Sequence, residues 1–170
     1  MIPIAKYIDF WTRVNIKLPE IKRLLFVHNE TELANLMGNV KASEPILIVI
    51  IPSADSSEID KDDIRDMTAG MLFMVVKIDS KNRTPDVEKK VMTDMQNLIA
   101  AIKFLLHRET TDCEAEMHDY FEGTNFSSMH CDPERNLVGC DGWSLLFEIG
   151  DPFWTFTEDE LIELFPNIND

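Results

Sequence analysis

Apolar and polar positions run along this chain in blocks whose period changes from helical to extended and back. In the opening IPIAKYIDFWTRV, Ile4, Tyr7, Ile8 and Trp11 recur every three or four residues, which puts them on one stripe of an amphipathic helix. Pro19 ends that pattern, because proline lacks the amide a helix interior needs. A short second helix is expected next. Asn29 can cap it with Glu32 three residues on, Leu33, Leu36 and Met37 form its apolar side, and Gly38 is a natural stop. The period then shifts. Ile46 to Ile51 is apolar at every position between Pro45 and Pro52, which predicts a strand covered on both faces, by helices on one side and a partner sheet or subunit on the other. The acidic stretch SADSSEIDKDDIRD reads as a loop, and Gly70 to Asp79 as a second strand. Two apolar runs joined by a long polar connection predict an antiparallel pair.

The strongest pattern lies in TPDVEKKVMTDMQNLIAAIKFLLHRE. Val87, Val91, Met95, Leu98, Ile102 and Leu105 keep helical spacing behind a Thr84 cap, Pro85 and the acidic Asp86 and Glu88. A helix of about 23 residues, roughly 35 Å long, should lie with one face on the sheet. TTDCEAEMHDYFEGTN has weaker periodicity and fits a short helix or a loop. From Phe126 to Asp151 the pattern gives strand, turn and strand. Trp143, Leu145, Phe147 and Ile149 fall on one face of the last strand, with Ser144, Leu146 and Glu148 on the other. Thr157 to Glu160 forms a capping box, so a short helix is expected over Glu158 to Phe165. The fold class predicted is α+β. A mostly antiparallel sheet of about four strands packs against one long amphipathic helix, with short N- and C-terminal helices, in a single domain spanning residues 1–170.

Composition narrows the classes of function. The 45% hydrophobic and 28% charged content are those of a globular chain, and 31 acidic against 16 basic residues leave a net charge of -15. That surplus disfavours binding to nucleic acid or to an anionic membrane, both of which need a basic face. PILIVIIP is far too short to cross a bilayer, which takes about 20 residues. The opening lacks the basic-then-apolar order of a secretory leader, so a reducing cytoplasm is the expected compartment.

Candidate chemistry is thin. Cys113, His118, His130, Cys131 and Cys140 are close in sequence, but they lack the paired C-x2-C spacing of zinc sites, and neighbours such as His130 and Cys131 point to opposite faces of a strand. Counting from Asp60, a calcium loop fails at its fifth and sixth positions, Ile64 and Arg65. No G-x-S-x-G elbow or phosphate-binding loop is present. No catalytic residue, metal or cofactor is therefore assigned. Cys131 and Cys140 flank the predicted turn, so the hairpin is expected to bring them near each other. Much of the aromatic run WSLLFEIGDPFWTF reads as core, and part of it exceeds what one small domain buries. It offers Trp143, Phe147, Phe153, Trp154 and Phe156 as subunit-interface candidates, with Asp60, Asp62 and Asp63 of the acidic stretch beside them.

The order EPILIVIIP, acidic excursion, GMLFMVVKID, a long helix from TPDVEKKVM, then MHCDPERNLVGCDGWSLLFEIGD resembles the tail terminator (tail completion) proteins of long-tailed phages and prophages, over roughly residues 30 to 151. The likeness is one of layout. It implies a non-enzymatic structural protein. Such a protein forms a ring homo-oligomer, typically a hexamer, that completes the tail tube or joins it to the head. It contacts itself and other tail or head-joining proteins, and assembles from the cytoplasm into a virion or tail-like particle. An acidic ring would pass DNA without adhesion, and its contacts would come from sheet edges and the acidic stretch. The alternative left open by the residues is a small acidic binding protein, an immunity protein or nucleic-acid mimic, that neutralises a basic partner.

Overall fold

The extended stretches assemble into one mixed sheet with helices on one face. The structure, a computed structural model, describes residues 4–28, 32, 33, 35, 40–52, 54–60, 63–121 and 123–152. In chain order it contains α1 (Ile4–Lys17), β1 (Arg23–Val27), β2 (Pro45–Ile50), β3 (Ala54–Asp60), β4 (Asp63–Lys77), α2 (Pro85–Thr111), α3 (His118–Phe121), β5 (His130–Leu137) and β6 (Cys140–Pro152). The strand order is β1-β2-β4-β6-β5, and β3 pairs with β4. Only β1 and β2 run parallel. The other pairs are antiparallel, including the β2/β4 pair expected from the two apolar runs.

The α+β class holds, but the sheet has more than the four strands expected. RLLFV of β1 is a five-residue run with no turn residue at its ends, so its pattern is weak. The larger correction concerns the acidic stretch, which is a pair of strands and not a loop. β2 pairs with β4 at Leu72–Val76, and β3 continues along the same edge of β4 from Thr68 to Asp63. Together they form one long hairpin interrupted between Ile50 and Ala54. Main-chain pairing needs no apolar side chains, and the other edge of β4 is held by β6 in unbroken register from Arg65↔Pro152 to Lys77↔Cys140. That ladder satisfies the backbone of a polar strand as well as an apolar one.

Both faces of the central strands are covered, as the continuous apolar run of β2 requires. On one face Leu47, Val49, Leu72, Met74, Leu145 and Phe147 meet the two long helices. α1 contributes Tyr7, Phe10, Trp11 and Val14, one position set further along than the expected stripe, since Ile4 is exposed. On the other face Ile46, Ile48, Phe73, Val75 and Cys140 are closed over by Leu33 and Val40 of the same chain. The cover on that side thus comes from the β1–β2 connection. The Asn29–Gly38 helix lies mostly outside the described residues, and the Glu158–Phe165 helix wholly so.

α2 behaves as its caps predict. The Thr84 hydroxyl accepts from the Val87 amide at 3.4 Å, and Pro85 opens a helix of 27 residues. Its buried positions are Met95, Ile99, Ile102, Leu106 and Glu109, so the face is turned slightly from the one read in sequence and Val87 stays at the rim. Glu109 is buried with its carboxylate satisfied: Oε2 accepts from the Met117 amide at 3.2 Å and Oε1 from Arg108 at 3.4 Å. This ties α2 to α3, whose Phe121 enters the core.

Candidate interaction surfaces

The proposed interface aromatics separate on inspection of the sheet. Phe147 has no exposed surface. Its ring lies 6.2 Å from that of Trp11 and directly over Gly70, its register partner on β4. A side chain so enclosed has nothing to offer a neighbour, and Phe147 is a core residue of this chain. Trp143 is half-buried, and its Nε1 donates to the Met92 carbonyl at 2.9 Å, pinning β6 to α2. Phe153, Trp154, Phe156 and Asp62 lie outside the described residues. Asp60 and Asp63 stand opposite each other in register at the far end of the β3/β4 hairpin.

That hairpin end is the first surface. β3 and the first residues of β4 hold five carboxylates, at Asp55, Glu58, Asp60, Asp63 and Asp66, against one guanidinium, Arg65. In backbone register Asp60 is paired with Asp63, and Asp66 with Asp151 of β6. The outer edge of β3 pairs with no strand among the described residues, leaving backbone donors and acceptors for a neighbour.

The second surface is a cleft of ≈ 410 Å³ where the start of α2 meets the β5/β6 hairpin, lined by Arg83, Glu88, Lys89, Arg135 and Asp141 among others. Arg83 is its pivot. It donates to Glu88 Oε1 at 2.6 Å and to Asp141 Oδ2 at 2.6 Å, and these two partners push its guanidinium pKa upward. Asp141 is buried, and its Oδ1 also accepts from the Asn136 amide at 2.8 Å, shaping the turn. Both carboxylates of the cleft are thus already engaged. Lys89 and Arg135 are exposed and make no ion pair among the described residues. Sequence reading missed this cleft because its cations sit on a loop, a helix and a strand up to 52 positions apart.

A third feature is an apolar groove of ≈ 730 Å³ beside α2, with Leu18, Pro45, Val76, Ile78, Val91 and Leu98 in its walls. The thiols and imidazoles form no comparable set. Cys131 pairs in register with Leu145, five positions from Cys140, which is about 16 Å along a strand. Cys131 packs toward the helices and Cys140 on the opposite face. The expectation that the hairpin brings them near each other is therefore corrected. The register shifts between Glu134 and Leu137, and the two side chains point through opposite sides of the sheet. Burial pushes the Cys140 thiol up to about 11, and Cys113 is exposed. His130 is exposed and 3.1 Å from Asp132. Among the described residues, no three His, Cys, Asp or Glu side chains converge on a point that could hold a metal, and no helix is long and apolar enough to cross a membrane. The chain matches no family model, no curated protein and no solved structure.

Proposed function

We propose that this protein is a non-enzymatic structural component of a phage or prophage-like tail, a ring homo-oligomer that completes the tail tube or joins it to the head. The observation that carries the reading is the long interrupted hairpin. β2 and β3 run against a fifteen-residue β4, and the outer edge of β3 pairs with no strand among the described residues. A strand edge of that kind ordinarily has to be blunted or occupied, and a neighbouring subunit is one way to occupy it. The layout of the antiparallel pair, the long helix across the sheet and the closing β5/β6 hairpin supports the same reading, as does a net charge of -15, which would keep a tube lining from holding DNA.

The test is the mass of the purified protein by light scattering, with negative-stain images of the same sample. The reading expects closed rings several times the 19.6 kDa chain mass. A species that stays at 19.6 kDa at every concentration would overturn it. A second reading, a small acidic protein that captures one basic partner, is favoured by the surplus of 31 acidic over 16 basic residues. It expects a monomer that binds such a partner tightly at low salt and loses it as salt rises.

A further inference from the structure

We infer that the outer edge of β1, with the side of α1 above it, is where a second copy of this chain joins, strand to antiparallel strand across a two-fold axis. This contact is separate from the ring reading, which rests on the β3 edge.

The path of the sheet ends in β1 on one side and in β5 on the other. β5, HCDPERNL, carries Pro133 and the charges of Asp132, Glu134 and Arg135, devices that keep an edge from pairing. β1, RLLFV, has none of them after Arg23. Leu24, Leu25 and Phe26 are only half-buried, although they pack against the cores on the two faces of the sheet. The main chain supplies the pairing groups. The Val27 carbonyl accepts from the Ile51 amide at 2.9 Å, so Val27 faces β2. Main-chain groups alternate in direction along a strand, so Arg23 and Leu25 face β2 as well. Leu24 and Phe26 turn their amides and carbonyls outward, where no described strand meets them. An apolar edge in that state is a template for another strand.

A copy of the same strand fits it. In an antiparallel pair centred on Leu25, Leu24 of one copy stands opposite Phe26 of the other, and the outward groups of both copies are used in four hydrogen bonds. Arg23 falls opposite Val27, so no like charges meet within the pair. The helix above continues the surface. Phe10 packs on Phe121 with ring centroids 4.7 Å apart, and Arg13 pairs with Glu116, which turns that side of α1 toward α3. α2 and α3 lie over β6, whereas α1 lies over β1. The opposite side of α1 therefore overhangs the β1 edge. It holds Ile8, half-buried, and Ile4, 55% exposed. A second copy brings its own α1 alongside and covers both. The contact is isologous and closes at two copies, so any larger assembly that uses it contains an even number of chains.

Leu25 lies on the axis, so one substitution sets two equal charges face to face. Leu25→Lys and Leu25→Glu should each sediment at half the wild-type mass. An equimolar mixture should recover the full mass, since lysine then faces glutamate, and that recovery also shows that both variants are folded. Hydrogen exchange of the wild-type chain needs no variant. The Leu24 and Phe26 amides should be protected in the assembly and lose that protection on dilution, while the Leu25 amide, bonded to β2, stays protected throughout. Ile4→Lys, at an exposed position, should weaken association and leave monomer stability unchanged. Leu24 and Phe26 amides that exchange freely at every concentration, or a mass indifferent to both Leu25 variants, overturn the pairing and leave the ring reading standing. A largest species of twice 19.6 kDa that responds to the Leu25 variants supports the pairing and overturns the ring reading. A wild-type chain monomeric at all concentrations overturns both.

Discussion

Gly70 and Phe147 offer the sharpest quantitative test of the sheet. A Cβ added at Gly70 would lie 2.3, 2.4 and 2.9 Å from three atoms of the Phe147 ring, well inside contact distance. The ring has no exposed surface and is backed by Trp11, so it cannot swing clear. Overpacking of that kind costs about 1–3 kcal/mol. Against it stands a gain of about 0.5–1 kcal/mol from replacing glycine by alanine in a strand. Gly70→Ala should therefore destabilise the monomer by about 1 kcal/mol, lowering Tm by roughly 2–4 °C for a chain of this size. In a Phe147→Leu background the ring is gone, and the same substitution should become neutral or slightly stabilising. The measurement is a double-mutant cycle by urea unfolding at low protein concentration, with an expected coupling of about 2 kcal/mol. Additive effects, or a Gly70→Ala variant within about 0.5 kcal/mol of wild type, would refute the packing described here. A change in assembly mass with unaltered monomer stability would instead return Phe147 to an interface.

The remaining predictions concern the hairpin turn, the cleft and the thiols. Val138 sits at φ 49 in the β5/β6 turn, a left-handed conformation that a β-branched residue adopts at a cost. Val138→Asn should stabilise the chain by about 0.5–1 kcal/mol in thermal unfolding, and a loss of stability would contradict the turn geometry. Asp141→Ala removes the buried acceptor shared by Arg83 and the Asn136 amide, which should cost about 2 kcal/mol; adding Arg83→Ala to that variant should change little more, and full additivity would show that the two residues act apart. Cys113 should react with a thiol reagent at pH 8 in the native protein while Cys140 does not, since its thiol is buried and shifted up to about 11. The Cys140 shift also sets an alkaline limit. The unfolded thiol ionises near 9.0 and the folded one near 11, so the unfolded chain releases its proton first and stability falls as pH rises between those values. Burial raises the Tyr7 phenol in the same direction. A stability flat across that interval, followed by urea unfolding, would contradict the burial of both groups.

The parts of this fold that could be read in sequence are those where local chemistry and tertiary packing agree. α2 announces itself through Thr84, Pro85 and a helical apolar period, and the packing uses nearly the same face. The burial of β2 on both sides follows from its unbroken apolar run. β3 and the start of β4 were illegible because what holds them is a backbone ladder, which leaves no hydrophobic signature. Phe147 looked like surplus aromatic surface because nothing in sequence says that Gly70 stands opposite to receive its ring. The basic cleft was invisible for a related reason: Arg83, Lys89 and Arg135 meet only after the sheet has brought α2 beside β5. Proximity of Cys131 and Cys140 was inferred from a regular hairpin, and the register shift removes it.

The place of β4 in the strand order sets a schedule for synthesis. Its first edge is filled by β2 and β3, which precede it directly, but its second waits for β6, whose last residue follows the end of β4 by 75 positions. At roughly 5–20 residues per second the ribosome leaves that edge open for about 4–15 s. During that interval the run from Met71 to Val76 is a hydrophobic strand with one edge unpaired, the kind of segment that templates aggregation. Asp63, Arg65 and Asp66 precede that run on the same strand and place charges beside it in sequence, where they act as gatekeepers. A chain stopped at Gly139 should accordingly be insoluble where the full chain is not, and a soluble, folded fragment of that length would show that the waiting edge is protected in some other way.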